Sequence, residues 1–79
     1  MKRLIVEDDK GVSHSFEIIR TSHGVFKAVA DISKNNTAVS FKLKLETGNC
    51  AIIDKHKLPQ WIINSEQKFN DFISINFEF

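Results

Sequence analysis

Apolar and polar residues alternate along most of the chain, and the period changes near its end. The clearest stretch is Val39-Ser40-Phe41-Lys42-Leu43-Lys44-Leu45, where every odd position is apolar and every even one polar. Successive side chains of a strand point to opposite faces, so this pattern predicts a strand with one core side and one wet side. Phe16 and Ile18, led in by Val12, mark an earlier strand. Phe26, Ala28, Ala30 and Ile32 mark the next, and Leu4 and Val6 the first. Cys50-Ala51-Ile52-Ile53 begins a fifth strand whose core face the pattern leaves open.

Turn-forming clusters separate these segments: Asp8-Asp9-Lys10-Gly11, Thr21-Ser22-His23-Gly24, Ser33-Lys34-Asn35-Asn36 and Glu46-Thr47-Gly48-Asn49. They recur about every 12–13 residues, the spacing of a meander of short antiparallel strands.

After Lys57 the apolar positions Leu58, Trp61, Ile62, Phe69, Phe72 and Ile73 recur at three- and four-residue steps, the stripe of an amphipathic helix. Pro59 suits its first turn. One continuous helix over residues 59–72 is expected, about 21 Å long. A break at Asn64-Ser65, with Asn64 capping a second helix and Gln67 reaching back, is the competing arrangement. Ile73, Ile75, Phe77 and Phe79 then return to period two and predict a terminal strand. The expected fold is therefore α+β: a single domain over residues 1–79, a five-stranded antiparallel meander with one helix packed on one face, and a C-terminal sixth strand, in the order β-β-β-β-β-α-β. Trp61 is expected to anchor the helix above the small residues Ala28 and Ala30.

Composition narrows the function classes. The 79 residues are 42% hydrophobic and 27% charged, an ordinary globular balance. Formal net charge is +1, which gives no global argument for a polyanionic partner. The opening Met1-Lys2-Arg3-Leu4-Ile5-Val6 resembles a signal peptide only until Glu7-Asp8-Asp9, and no apolar run approaches membrane-spanning length. A cytoplasmic protein is expected. A single cysteine, Cys50, excludes an internal disulfide.

No catalytic residue is assigned. Cys50, Asp54 and His56 resemble a nucleophile set, but a regular strand would hold Cys50 and His56 roughly 20 Å apart, and a thiol must lie within hydrogen-bond reach of its base. His14, His23 and His56 lack paired ligand spacing, so no metal site is assigned. The three glycines are scattered and form no phosphate loop, and no cofactor is expected.

Charge is partitioned, however. Residues 1–26 are neutral, residues 27–57 carry +3 and residues 58–79 carry −2. Lys27, Lys42 and Lys44 fall on the wet side of two neighbouring strands, and Lys55 and Lys57 follow closely. These five lysines are the candidate partner-binding residues. The aromatic residues sit on core positions, which disfavours the base stacking used by single-strand binders. The expected function is that of a small stand-alone, non-catalytic protein-binding module of inhibitor, adaptor or regulator type, a size class shared with accessory proteins of phages and mobile elements. Its partner would be a protein with an acidic surface. The alternative is a weak nucleic-acid binder using the lysine-rich face. An Ile/Phe strand from Ile75 to Phe79 also suggests homodimerisation through that edge.

Overall fold

A computed structural model describes residues 3–32 and 37–77, the side chains of residues 31, 32, 37 and 38 excepted. Strands β1 (Arg3–Glu7), β2 (Ser13–Ser22), β3 (Val25–Ile32), β4 (Thr37–Glu46) and β5 (Asn49–Ile52) form one antiparallel sheet in sequence order. A 3-10 turn (Lys55–Lys57) leads into α1 (Gln60–Ile63) and α2 (Glu66–Asn76), which lie across one face. The α+β meander anticipated from the periodicity is present.

The turns follow from local chemistry. Asp8 organises the first: its Oδ1 accepts from the Lys10 and Val12 N–H groups at 2.8 and 2.9 Å. Val12, expected to lead into the core, is instead 48% exposed in this turn. Thr47 and Gly48 both adopt positive φ, 46° and 85°, making the mirror-image two-residue turn whose twist matches the strands it joins.

The core face carries Val6, Phe16, Ile18, Phe26, Ala28, Ala30, Phe41 and Leu43. The face of β5 left open by the sequence is settled: Cys50 and Ile52 point inward. Phe16 pairs with Ala30 and Phe41 with Ala28, so two rings flank two small residues. Phe69 of α2 enters this depression and meets both rings edge-on, with centroids 5.1 Å from each. Phe69, and not Trp61, is therefore the helix anchor. Trp61 is only half-buried and stacks on His14 at the rim of the sheet.

Two expectations for the C-terminal third are corrected. The helix is not continuous over residues 59–72; it breaks at Asn64-Ser65. Asn64 does not cap the second segment. Ser65 occupies that position, and its hydroxyl donates back to the Trp61 carbonyl at 2.8 Å. The sixth strand is absent among the described residues, since Ile73 and Ile75 belong to α2. Phe69, Ile73 and Phe77 recur at four-residue steps, so the helical stripe runs through the segment that also alternates. Ile73 is fully buried and Phe77 packs on Phe26 at 5.2 Å, while Ile75 is 82% exposed on the opposite side of the helix. Glu78 and Phe79 lie outside the described residues. A dimer built on an Ile75–Phe79 strand loses its premise.

Candidate functional site

The uncovered face of the sheet presents the odd residues of β1, those of β2 as far as Ile19, Val25, Lys27 and Val29 of β3, and Ser40, Lys42, Lys44 and Glu46 of β4. Register places Lys27 directly opposite Lys42, and Lys44 opposite Val25 on one side and Ala51 on the other. The Lys42 carbonyl accepts from the Ile53 N–H at 2.9 Å, on the β5 side. Its backbone groups therefore turn away from β3, and Lys27–Lys42 is a non-hydrogen-bonded pair, the kind whose side chains stand closest. Ile19 continues this row on β2, opposite Lys27.

β5 ends where β4 still has several residues to run. At that step the chain turns through Asp54, in left-handed conformation at φ 59°, into the 3-10 turn. A hollow of about 330 Å³ remains there, bordered by Lys27, Ser40, Lys42, Ile53, Asp54 and Lys57 among others. Of the five lysines singled out in the sequence, Lys27, Lys42 and Lys57 thus converge. Lys44 lies one pair further along the same face. Lys55 is turned elsewhere: its ammonium binds the Glu66 carboxylate at 2.8 Å. Among the described residues no carboxylate, Asp54 included, lies within ion-pair distance of Lys27, Lys42, Lys44 or Lys57.

A second cluster lies where the β1–β2 turn meets α1. The His14 Nε2 and Asp8 Oδ2 are 2.9 Å apart, and the His14 ring stacks on Trp61 at 4.8 Å and 22°. The hydrogen bond from His14 is the main cause that holds the Asp8 carboxyl down to about 2, assisted by the Val12 and Lys10 N–H groups. A carboxylate–histidine pair can support a nucleophile, but among the described residues none bonds to His14, and Trp61 covers its ring. The arrangement ties the β1–β2 turn to α1. Sequence spacing gave no sign of it, because a two-strand register and a helix rim bring the three residues together.

The Cys50–Asp54–His56 set is not assembled as a reactive centre. The Cys50 side chain is 3% exposed, and burial pushes its thiol pKa up, away from the nucleophilic thiolate. His56 is exposed in the 3-10 turn. Among the described residues no three His, Cys, Asp or Glu side chains are grouped to hold a metal ion, and no helix is long and apolar enough to cross a membrane.

Two residues without a place in the sequence reading turn out to guard the sheet. Asn70 Oδ1 accepts from the Cys50 N–H at 2.8 Å, and Glu66 Oε2 from the Ile52 N–H at 2.9 Å. These are the outward-facing donors of β5. Burial opposes charge on Glu66, but Lys55 and the Ile52 N–H outweigh it and hold the carboxyl below its ordinary value. Comparison with protein-family models, curated proteins and solved structures returns no match.

Proposed function

We infer that the domain is a non-catalytic protein-binding module that docks an acidic protein surface against the open face of its sheet. The observation that carries this reading is the Lys27–Lys42 pair. Like charges directly opposite each other on adjacent strands are destabilising, and here Lys44 and Lys57 add charge nearby with no described carboxylate in ion-pair reach. An anionic partner relieves that repulsion on binding. The intervening residues are Ile19, Val25, Val29 and Ala51, so the face mixes charge with apolar area as protein interfaces do.

This mixture favours a protein over nucleic acid. Phe16 and Phe26 point to the core, and Phe41, which borders the hollow, is only 6% exposed, so the described part of this face offers little ring surface for a base to stack on.

The test is charge reversal at Lys42 and Lys44. Lys42→Glu alone makes an opposite-charge pair with Lys27 and should stabilise the fold by about 0.2–1 kcal/mol relative to a like-charge pair. Lys42→Glu/Lys44→Glu should remain folded by circular dichroism and lose a nuclease-resistant partner captured from native lysate. Association should slow and become less salt-dependent. Unchanged capture overturns the reading. Binding of the wild type to a single-stranded oligonucleotide with a steep salt slope, lost in the double variant, would favour the nucleic-acid alternative.

A further inference from the structure

The sheet has two terminal strands, treated in opposite ways. The outer edge of β5 is closed, since its donors at Cys50 and Ile52 are taken by Asn70 and Glu66. No strand pairs with the outer edge of β1 among the described residues. The bond pattern says what that edge offers. Even residues of β4 face β5, as the Lys42 carbonyl shows, and odd residues face β3, as the Leu45 N–H shows in donating to the Gly24 carbonyl at 2.7 Å. Stepping across the registers, β3 turns its odd residues to β2, and β2 turns its even residues to β1. Leu4 and Val6 bond inward to β2. Arg3, Ile5 and Glu7 therefore direct their N–H and C=O groups outward.

The same three side chains lie on the open face, and Ile5 is 66% exposed. Ile5 is flanked at equal spacing by one base and one acid. Of the devices that blunt natural edge strands, β1 has no proline, bulge or inward charge; its two charges, Arg3 and Glu7, lie on the open face.

The geometry points to a second copy of this chain as the occupant: β1 pairs antiparallel with its own counterpart about a two-fold axis at Ile5. In that register Arg3 faces Glu7 of the second copy, Ile5 faces Ile5, and Glu7 faces Arg3. All three are hydrogen-bonded pairs, two bonds each. On the core side Leu4 faces Val6 in both directions. Neighbouring registers set Arg3 or Glu7 against Ile5 and lose a pair, so the charge pattern selects one alignment. Arg3 keeps its loose contact with Glu17, at 3.8 Å on the β2 side. The axis stands perpendicular to the sheet, so two five-stranded sheets become one. Both lysine faces then look the same way, and both helix layers lie behind. The pairing does not depend on what the lysines bind, but it makes that face bivalent.

Sedimentation velocity on the full chain, from roughly 10 µM to 1 mM, tests this at the affinities expected of a small interface. A reversible monomer–dimer equilibrium is expected. Ile5→Pro removes an outward N–H that the intrachain ladder does not use, and should weaken dimerisation at least tenfold. Arg3→Glu carries acid at both flanking positions and Glu7→Arg carries base at both. Each should be monomeric alone, and an equimolar mixture should dimerise. If Ile5→Pro fails to fold, the two exposed-charge variants decide the matter. A monomer throughout the range, open-ended oligomers, or a dimer indifferent to the charge variants and not restored by mixing overturns the proposal.

Discussion

Replacing Asn70 with alanine tests whether α2 holds the sheet edge through its side chains as well as its apolar stripe. Asn70 is buried on α2, and its Oδ1 is the acceptor for the Cys50 N–H at 2.8 Å. Truncation leaves that amide without a partner in a region helix packing keeps dry. An orphaned buried donor costs about 1–3 kcal/mol. The contact from Asn70 Nδ2 to Asn49, at 3.4 Å, adds little. A chain of 79 residues has about 4–12 kcal/mol in total, so the loss is a large fraction of it. Urea denaturation should show the drop, and Tm should fall by about 4–8 °C per kcal/mol. Asn70→Asp retains an acceptor oxygen and should recover part of the loss. Hydrogen exchange supplies the local readout: the Cys50 amide should lose protection by about 5- to 150-fold in Asn70→Ala. The control is Gln67→Ala, an exposed position on the same helix. If Asn70→Ala destabilises no more than Gln67→Ala, the edge is held by packing alone and the argument fails.

Two further perturbations probe the core and the rim. Phe69→Ala should cost about 3–5 kcal/mol, because Phe16 and Phe41 cannot collapse into the space left above Ala28 and Ala30. Trp61→Ala, at a half-buried position, should cost about 1–3 kcal/mol; equal or reversed losses in urea titrations would return Trp61 to the anchor role. The Asp8 carboxyl is lowered from 3.8 to about 2 in the folded state, so its contribution is complete above 3.8 and disappears as pH falls toward 2. Asp8→Asn should be less stable than wild type near neutrality but lose less on acidification across that window; parallel acid-denaturation curves would refute the link to His14.

The strands were legible because one face of the meander is wet. Alternation in β4 survives intact, since Ser40, Lys42 and Lys44 meet water while Phe41 and Leu43 meet the helices. The tail misled for a related reason: Ile75 is an exposed apolar residue, and a single such residue turns a four-residue stripe into an apparent two-residue one. The anchor was misassigned on size. Trp61 is the largest side chain, yet the depression over Ala28 and Ala30 is bounded by rings that an edge-on phenyl fits. Alternation alone put three of the five lysines, Lys27, Lys42 and Lys44, on one face; Lys55 and Lys57 were joined to them only by their nearness in sequence. Lys55 was not separable from them, because its partner Glu66 is distant in sequence. The capping roles of Glu66 and Asn70 had no sequence signal either, as a polar residue in a helix is ordinarily solvated.

The division of charge along the sequence becomes a division between layers. The segment carrying +3 supplies β4, β5 and the lysine-bordered hollow, whereas the segment carrying −2 supplies the helices behind the sheet. On α2, Glu66 is already neutralised by Lys55, which leaves Asp71 as the described acidic group without an ion pair there. Net charge conceals this arrangement. The shortest extent of the molecule is 18 Å, about twice the screening length of roughly 8 Å at physiological ionic strength. A partner approaching the lysine pair therefore meets Lys27, Lys42 and Lys44, with Glu17 and Glu46 on the same face, and scarcely senses the acids of the helices behind the sheet. For such a molecule the salt dependence of association reports the charge of the docking face. Charge reversal at the exposed acid Asp71, which shifts the net charge as Lys42→Glu does but in the opposite sense, should leave that dependence nearly unchanged.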